Sequence, residues 1–441
     1  MKKKILILSF DAMVGEDIEY LRNKPDSHFN RVMGNCAAVD NMRSVYPSIT
    51  YPAHFSIASG CNPGTSGFYQ NGYLLVGNSG KKGWILESNQ FPVEDFFAAA
   101  KRAGMTTASV YWPSMANNPN IDYLINEYFF PNPDEKIAEG FARQGASRGA
   151  LEAVAAAMPY YPKRYHVPGF PTREDTYDDF IIECLCQLIR TRQPDFAVAH
   201  HCYIDTMRHK YGVFNDHVRY AVDVVDECIG KVADTLQEAG VFEDTDLLII
   251  SDHGQLNFTR WIRINRLLQE GGFQTLTPEG KLDTWQAYAQ SNGMSTCIYL
   301  KEPQNPKLYR KVADYLEQLA GQGVWGFNEV MTRETVLERY GLKGDFTFML
   351  ESDGYTSFAE ALTGPTVLNV EREDYRLAAA THGYSPEKGP QPILCARGPS
   401  FRPGARLEQG KIIDIAPTVA AIMGQTMSQA EGRVLSELLK E

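Results

Sequence analysis

Short apolar runs recur from the amino terminus to about residue 254, each closed by a polar residue and separated from the next by stretches of helical periodicity. Lys4-Ile-Leu-Ile-Leu-Ser-Phe10, Phe196-Ala-Val-Ala-His-His-Cys-Tyr203 and Leu247-Leu-Ile-Ile-Ser251 are near-continuous rather than alternating, as strands buried on both faces must be. They predict strands over 4–10, 196–203 and 246–251, with a further strand over 105–111. Between them the pattern predicts a helix over 93–103 stopped by Gly104, helical structure over 134–158, an amphipathic helix within 174–192 and a long helix over 216–239 stopped by Gly240. Residues 46–80, rich in Pro, Gly and Asn, read as a loop region. Alternation of this kind predicts an α/β fold, a mostly parallel central sheet with helices on both faces.

After Gly254 the pattern changes to mixed turns, short strands and helices until about residue 375. The sheet pattern resumes with Gln391-Pro-Ile-Leu-Cys-Ala396, and Ile412 to Met423 fits a strand-edge turn and a helix closed by Gly424. The 441 residues exceed what one hydrophobic core usually serves. The expected organisation is therefore a core of residues 1–257 and 376–441 with an inserted α+β cap, or substrate lobe, at 258–375.

Composition narrows the class. Hydrophobic residues are 44% and charged residues 22%, ordinary for a globular chain. The net charge of −11 argues against a nucleic-acid polymer as partner, because binding its backbone needs clustered Lys and Arg; a small phosphorylated substrate remains compatible. No apolar stretch reaches the roughly 18 residues of a membrane span. The start Met1-Lys-Lys-Lys has too short an apolar run for a signal peptide, and the eight Cys include Cys184-Leu-Cys186 but no Cys-x-x-Cys. The expectation is a cytoplasmic protein with reduced thiols and no membrane partner.

The chemistry lies at the ends of the apolar runs. Asp11 closes the first, Asp205 follows the second, and Asp252-His253-Gly254 closes the third. Ligands in parallel α/β sheets gather beyond the carboxyl ends of strands, so separate strands can deliver these groups to one crevice. Asp205-Thr-Met-Arg-His209 puts a carboxylate and an imidazole on one face of a helical turn. His382 precedes Gly383, a residue that lets another backbone approach closely. Each has a bland reading alone: Asp11 and Asp252 as helix caps, Asp205/His209 as a common surface pair, His382 as a turn histidine. Six together are hard to explain by capping, and a mixed Asp/His set suits zinc or manganese better than magnesium or calcium. Tyr46-Pro-Ser-Ile-Thr50-Tyr-Pro-Ala-His54 presents the Thr50 hydroxyl in a Pro-constrained turn leading into a helix. Thr50 is a candidate nucleophile if a cation or base activates it, and a helix cap otherwise.

In this order, Asp11, Thr50-x-Pro-x-His54, Gly67-Phe-Tyr-Gln-Asn71, Asp205-x-x-x-His209, Ser251-Asp-His-Gly254 and Thr381-His-Gly383 resemble the type I phosphodiesterase/nucleotide pyrophosphatase family of the alkaline phosphatase superfamily. The resemblance covers nearly the whole chain. It implies an alkaline phosphatase-like fold and two zinc ions, with manganese as the alternative. By it, Asp205, His209 and His382 hold one ion, Asp11, Asp252, His253 and the Thr50 oxygen hold the other, and Asn71 donates to a phosphoryl oxygen. His54, His200 and His201 match no ligand position and read as structural. The implied activity is hydrolysis of phosphodiester or pyrophosphate bonds in nucleotide-like substrates through a phosphothreonine intermediate. Cys61-Asn-Pro-Gly-Thr65 lacks the Arg of a sulfatase motif, and Thr50 stands where alkaline phosphatases carry Ser. A phosphonoacetate hydrolase-like carbon–phosphorus hydrolase shares the Thr and the ligand set and stays open, as does a catalytically silent metal-binding protein. The cap and Tyr160-Tyr-Pro-Lys163-Arg164-Tyr-His166 are candidates for leaving-group contacts.

Overall fold

The computed structural model describes residues 3–77, 83–128, 136–162, 176–372, 374 and 376–440. Its largest sheet has eight strands in the order Arg406–Lys411, Ala37–Arg43, Leu394–Arg397, Thr245–Ile250, Lys4–Phe10, Phe196–His201, Thr107–Val110 and Tyr123–Ile125. Lys4–Phe10 is central and runs parallel to both neighbours. Only Leu394–Arg397 runs antiparallel to the strands beside it. The sheet is thus mostly parallel and flanked by helices, as the alternation predicted.

The continuous apolar runs are explained by burial on both faces. Leu6, Leu8 and Phe10 enter one hydrophobic core with the helices Asp178–Arg192 and Asp216–Glu238, while Ile5 and Ile7 enter another with the helices Thr50–Ser59 and Ile415–Ile422. Successive side chains of a strand point to opposite faces, so a strand covered on both sides is apolar at most positions, and the few polar ones, such as Ser9 and His200, meet buried partners. Asn215 starts the long helix by accepting from the N–H groups of His217 and Val218, and Gly240, at a φ of 70°, ends it.

Several sequence expectations need correction. The stretch 134–158 is not one helix: the described part divides into Ile137–Arg143, Arg148–Ala153 and a 3-10 turn at Ala155–Tyr160 that contains Pro159. Gly145, at a φ of 101°, lies in the break between the two helices. The loop region 46–80 carries the helix Thr50–Ser59, which the Thr50 turn was expected to lead into, and also the unexpected short helix Pro63–Ser66. The strand expected at 391–396 begins only at Leu394, since Pro392 has no N–H to give a ladder. Three strands of the large sheet were not anticipated: Ala37–Arg43 and Arg406–Lys411, which exposed polar positions interrupt, and Tyr123–Ile125, which is only three residues long.

Every strand of the large sheet comes from residues 4–250 or 394–411. Among the described residues, the strands between Leu256 and Thr381 form four smaller sheets. One, Ala287–Ser291, Ser295–Leu300, Phe348–Ser352 and Phe327–Thr332, is antiparallel and has its own apolar core under the helix Pro306–Gln322. No described helix is long and apolar enough to cross a membrane.

Candidate metal centre and nucleophile

Sheet register creates the site. Ser9 lies opposite His200 on one side and Ile250 on the other, so Asp11, Cys202 and Asp252, each two residues further on, emerge together at the carboxyl edge. Beyond that edge Asp205 and His209 sit one turn apart on the helix Tyr203–Tyr211, with His209 Nε2 3.3 Å from Asp205 Oδ2. His382 joins them: one ligand atom each from Asp205, His209 and His382 lie within 4.8 Å of one another. His209 is oriented by its Nδ1–H, which donates to the Ala380 carbonyl at 2.8 Å. His382 is placed by the turn behind it, because Gly383 has a φ of 91° and a Cβ there would overlap the Asn292 carbonyl.

A second group centres on His253 Nε2, which is 3.5 Å from Asp11 Oδ1, 3.2 Å from Asp252 Oδ2 and 3.2 Å from Thr50 Oγ1. Thr50 is the first residue of its helix and not its cap; the cap position is Ile49, and no side chain caps the helix. Its hydroxyl is therefore not consumed by backbone. The Tyr51 N–H donates to Asn71 Oδ1 at 3.0 Å, which fixes the amide of Asn71 and leaves its Nδ2 without a protein partner among the described residues. The structure thus brings all eight predicted residues, Asp11, Thr50, Asn71, Asp205, His209, Asp252, His253 and His382, to one edge.

The electrostatics show what this arrangement lacks. Burial, together with the facing charges of Asp205 and Asp252, holds the Asp11 carboxyl well above the usual range. Burial and the same neighbour push Asp252 up to about 8. Among the described residues no Lys or Arg pairs with Asp11, Asp205 or Asp252, and Asp11 Oδ1 and Asp252 Oδ2 accept no hydrogen bond.

The histidines behind the carboxylates sharpen the point. His54 Nδ1 faces the Thr50 carbonyl at 2.8 Å, so it carries the proton, and burial lowers this ring to about 3, keeping it neutral. Its Nε2 then accepts from the Ser9 hydroxyl at 2.8 Å, and Ser9 Oγ in turn accepts from His200 Nδ1 at 3.2 Å. Burial also holds His200 neutral, so its Nε2 turns a lone pair toward Asp11 Oδ2 at 3.3 Å. Two facing acceptors are tolerable only with a proton or a cation near them. The donor set therefore fits divalent cations, Asp/His in composition and short of positive charge.

Sequence reasoning treated His54, His200 and His201 as structural. They are structural in a particular way: His54 and His200 touch the site carboxylates, and His201 Nδ1 lies 3.2 Å from the buried Asp178. It missed Arg208, whose guanidinium binds both oxygens of Asp17 at 2.8 Å and also the Ala12 carbonyl, tying the helix of Asp205 and His209 to the turn after Asp11. Gln255, which donates to Asp205 Oδ1, was missed as well. Neither has a motif signal, although Arg208 sits inside Asp205-x-x-x-His209. Of the aromatic-basic segment, Lys163, Arg164 and His166 lie outside the described residues. Tyr161 is buried, donating to the Tyr128 carbonyl at 2.8 Å, and Tyr160 lies under Lys231.

A mostly parallel sheet that gathers Thr, Asp and His at its carboxyl edge defines an alkaline phosphatase-like fold with candidate cation sites. The model of the type I phosphodiesterase / nucleotide pyrophosphatase family matches residues 5–385, and the chain belongs to that metal-dependent family of hydrolases. Human ectonucleotide pyrophosphatase/phosphodiesterase family member 1 is 25% identical over 288 residues, 62% of this chain but only 27% of that protein. Bis(5'-adenosyl)-triphosphatase ENPP4 of Bos taurus is 21% identical over 445 residues, covering 96% of this chain and 78% of that one. The structure of human ectonucleotide pyrophosphatase/phosphodiesterase 5 superposes with a TM-score of 0.67 at 18% identity over 100% of both chains. A murine counterpart solved as an inactive Thr-to-Ala variant in complex with AMP gives 0.64 at 17% identity, covering 99% of this chain and 100% of that one.

Proposed function

We propose that this chain is a two-cation phosphohydrolase that cleaves phosphodiester or pyrophosphate bonds of nucleotide-like substrates through a phosphothreonine intermediate. The observation that carries the reading is the position of Thr50 Oγ1, uncapped at a helix start and 3.2 Å from His253 Nε2 within the second donor group. The name of the bovine relative, a bis(5'-adenosyl)-triphosphatase, and the AMP held by the inactive Thr-to-Ala murine relative support it.

Asp205, His209 and His382 would hold one ion, and Asp11, Asp252, His253 and the Thr50 oxygen the other. Two zinc or manganese ions there supply Lewis acidity, lowering the pKa of a hydroxyl or water and drawing charge from phosphoryl oxygens. Thr50 Oγ1 attacks phosphorus, forming the P–O bond to threonine, while the bond to the leaving group breaks and its oxygen departs with the electron pair. Water then attacks the phosphothreonine and frees Thr50. Asn71, with Oδ1 committed to the Tyr51 N–H, presents Nδ2 to the charge that develops on phosphorus oxygens in both steps. We assign residues 258–375 as the lobe that covers the substrate.

Diesters and pyrophosphates are the expected substrates rather than monoesters. A monoester carries one more negative charge, and among the described residues no Lys or Arg pairs with the site carboxylates to signal a third positive group there. Parallel assays with bis-p-nitrophenyl phosphate, p-nitrophenyl phosphate, a nucleotide and phosphonoacetate test the reading. Faster turnover of p-nitrophenyl phosphate than of its bis-substituted analogue refutes the diester preference. Strong phosphonoacetate cleavage moves the chain to carbon–phosphorus hydrolysis, and no turnover by the metal-loaded protein makes it a silent metal binder.

A further inference from the structure

Asn71 stands in a stretch without helix or strand, so the backbone beneath its side chain must be held by other parts of the fold. Both of its neighbours are held by one hairpin of the 258–375 segment. Gln70 Nε2 donates to Cys297 Sγ at 3.2 Å, and the Gly72 carbonyl accepts from Gln290 Nε2 at 3.0 Å. Gln290 and Cys297 are direct partners across the antiparallel strands Ala287–Ser291 and Ser295–Leu300. A single cross-strand pair thus grips the residue before Asn71 and the residue after it.

The grip is buried and works in one chemical sense. Gln70, Gln290 and Cys297 are all buried. The Tyr299 hydroxyl donates to Gln290 Oε1 at 3.1 Å, leaving Nε2 to face the carbonyls of Gly72 at 3.0 Å and Tyr73 at 3.4 Å. Carbonyl oxygens only accept, so this end of the side chain must be an NH₂; a carboxylate of the same shape sets oxygen against oxygen. The same hairpin reaches the candidate metal ligands at its turn. The Met294 N–H donates to the His382 carbonyl at 2.9 Å, and the Asn292 carbonyl lies against Gly383. Strands that hold Asn71 and a turn that holds His382 fix a donor to phosphoryl oxygens at a set distance from one cation group.

We propose that Gln290 is a positioning residue for phosphoryl transfer: acting on Gly72, with Cys297 acting on Gln70, it holds Asn71 so that Nδ2 meets the phosphoryl oxygen as charge develops there. The inference rests on the hydrolase reading above. It adds a residue of the 258–375 segment that serves the chemical step rather than substrate recognition. Gln290 touches no reacting atom, and its effect passes through Asn71.

A double-variant cycle on the full metal-loaded chain tests it, with bis-p-nitrophenyl phosphate as substrate. Gln290→Glu lowers kcat by about tenfold or more with KM within about threefold of the parent, and in the Asn71→Ala background the same substitution lowers kcat by less than about twofold further. A loss of stability alone acts equally in both backgrounds and does not give that pattern. An equal loss in both backgrounds, or parental kcat in a folded Gln290→Glu chain, overturns the proposal. Amide exchange at Tyr51 gives a second reading that needs no turnover, because Asn71 Oδ1 accepts from that N–H. Exchange there is faster in Asn71→Ala and also in Gln290→Glu, by about threefold or more; parental exchange at Tyr51 in Gln290→Glu overturns the proposal whatever the turnover. A parent chain that hydrolyses no diester refutes the hydrolase reading instead, and the exchange measurement then decides alone whether Gln290 holds Asn71. Should Gln290→Glu not fold, Gln290→Met, which removes the amide without adding a charge, replaces it, with the same pattern expected and the same results overturning the proposal.

Discussion

Replacing Glu351 by alanine should disable the centre although Glu351 touches none of its candidate ligands. Its carboxylate is buried in the antiparallel sheet of the 258–375 segment, where Oε2 accepts from the Tyr46 hydroxyl at 2.7 Å and Oε1 from the Ser385 N–H at 2.9 Å and from Lys388 Nζ at 3.0 Å. Tyr46 precedes Thr50 by four residues and Ser385 follows His382 by three, so one side chain fastens the nucleophile turn to the histidine turn. The Ser48 hydroxyl donating to the Tyr384 carbonyl and the Gly383 N–H donating to the Ser48 carbonyl complete the seam. Removing the carboxylate strands a hydroxyl on a fully buried Tyr46 and a buried N–H on Ser385. At about 1–3 kcal/mol for each unsatisfied buried group, the loss is about 2–6 kcal/mol. Lys388, two-fifths exposed, recovers water and adds little. Glu351→Gln recovers part of this, since one amide carbonyl can serve one donor while its NH₂ opposes the other. Tyr46→Phe removes the hydroxyl that serves Oε2 while Oε1 keeps its two donors, and costs less than Glu351→Ala. Denaturant midpoints, bound metal and kcat/KM for bis-p-nitrophenyl phosphate measured on Glu351→Ala, Tyr46→Phe and the double variant form a cycle. Strong non-additivity between the two is expected. Additive effects, or a Glu351→Ala chain with parental midpoint and turnover, refute the seam.

Thr50→Ala should keep fold and metal but lose turnover by several orders of magnitude, and Thr50→Ser should keep measurable activity; near-parental hydrolysis of an activated diester by Thr50→Ala excludes the covalent route. His209→Ala and Asp252→Ala should each lose bound metal together with activity, read by elemental analysis against the parent, where close to two ions per chain are expected. Chelation should lower the thermal midpoint, because Asp11, Asp205 and Asp252 then face one another uncompensated; ions present at a hundredfold their dissociation constant contribute about 2.7 kcal/mol, and a chelator-insensitive melt argues against the two-cation reading. Asn71→Ala should cut kcat by roughly 10²–10³-fold with a smaller change in KM, as for loss of one donor to developing charge, and an unchanged kcat removes Asn71 from the machinery.

Much of the site was legible because its residues obey local rules. Asp11 and Asp252 each follow the last residues of an apolar run buried on both faces, so they mark the sheet edge in the linear pattern. Asp205 and His209 share a helix face by spacing alone, and the close approach of Asn292 to Gly383 is what a glycine beside His382 signals. These are statements about neighbours within a few positions, which periodicity records. The strands Ala37–Arg43 and Arg406–Lys411, at one side of the sheet, escaped it because exposed positions break their apolar pattern. The division of 134–158 escaped it because a Gly and a Pro within helical periodicity do not say whether the chain bends or breaks. What only tertiary structure decided are contacts between residues far apart in sequence: His200 turned onto Asp11, Asn71 fixed by the Tyr51 N–H, Arg208 reaching Asp17, and Glu351 joining Tyr46 to Ser385. Their physical cause is sheet register and the docking of the 258–375 segment, which set which buried donor meets which acceptor. A single sequence carries no local trace of that pairing, because the residue types involved are the same ones that serve as ordinary caps, turns and surface charges elsewhere in the chain.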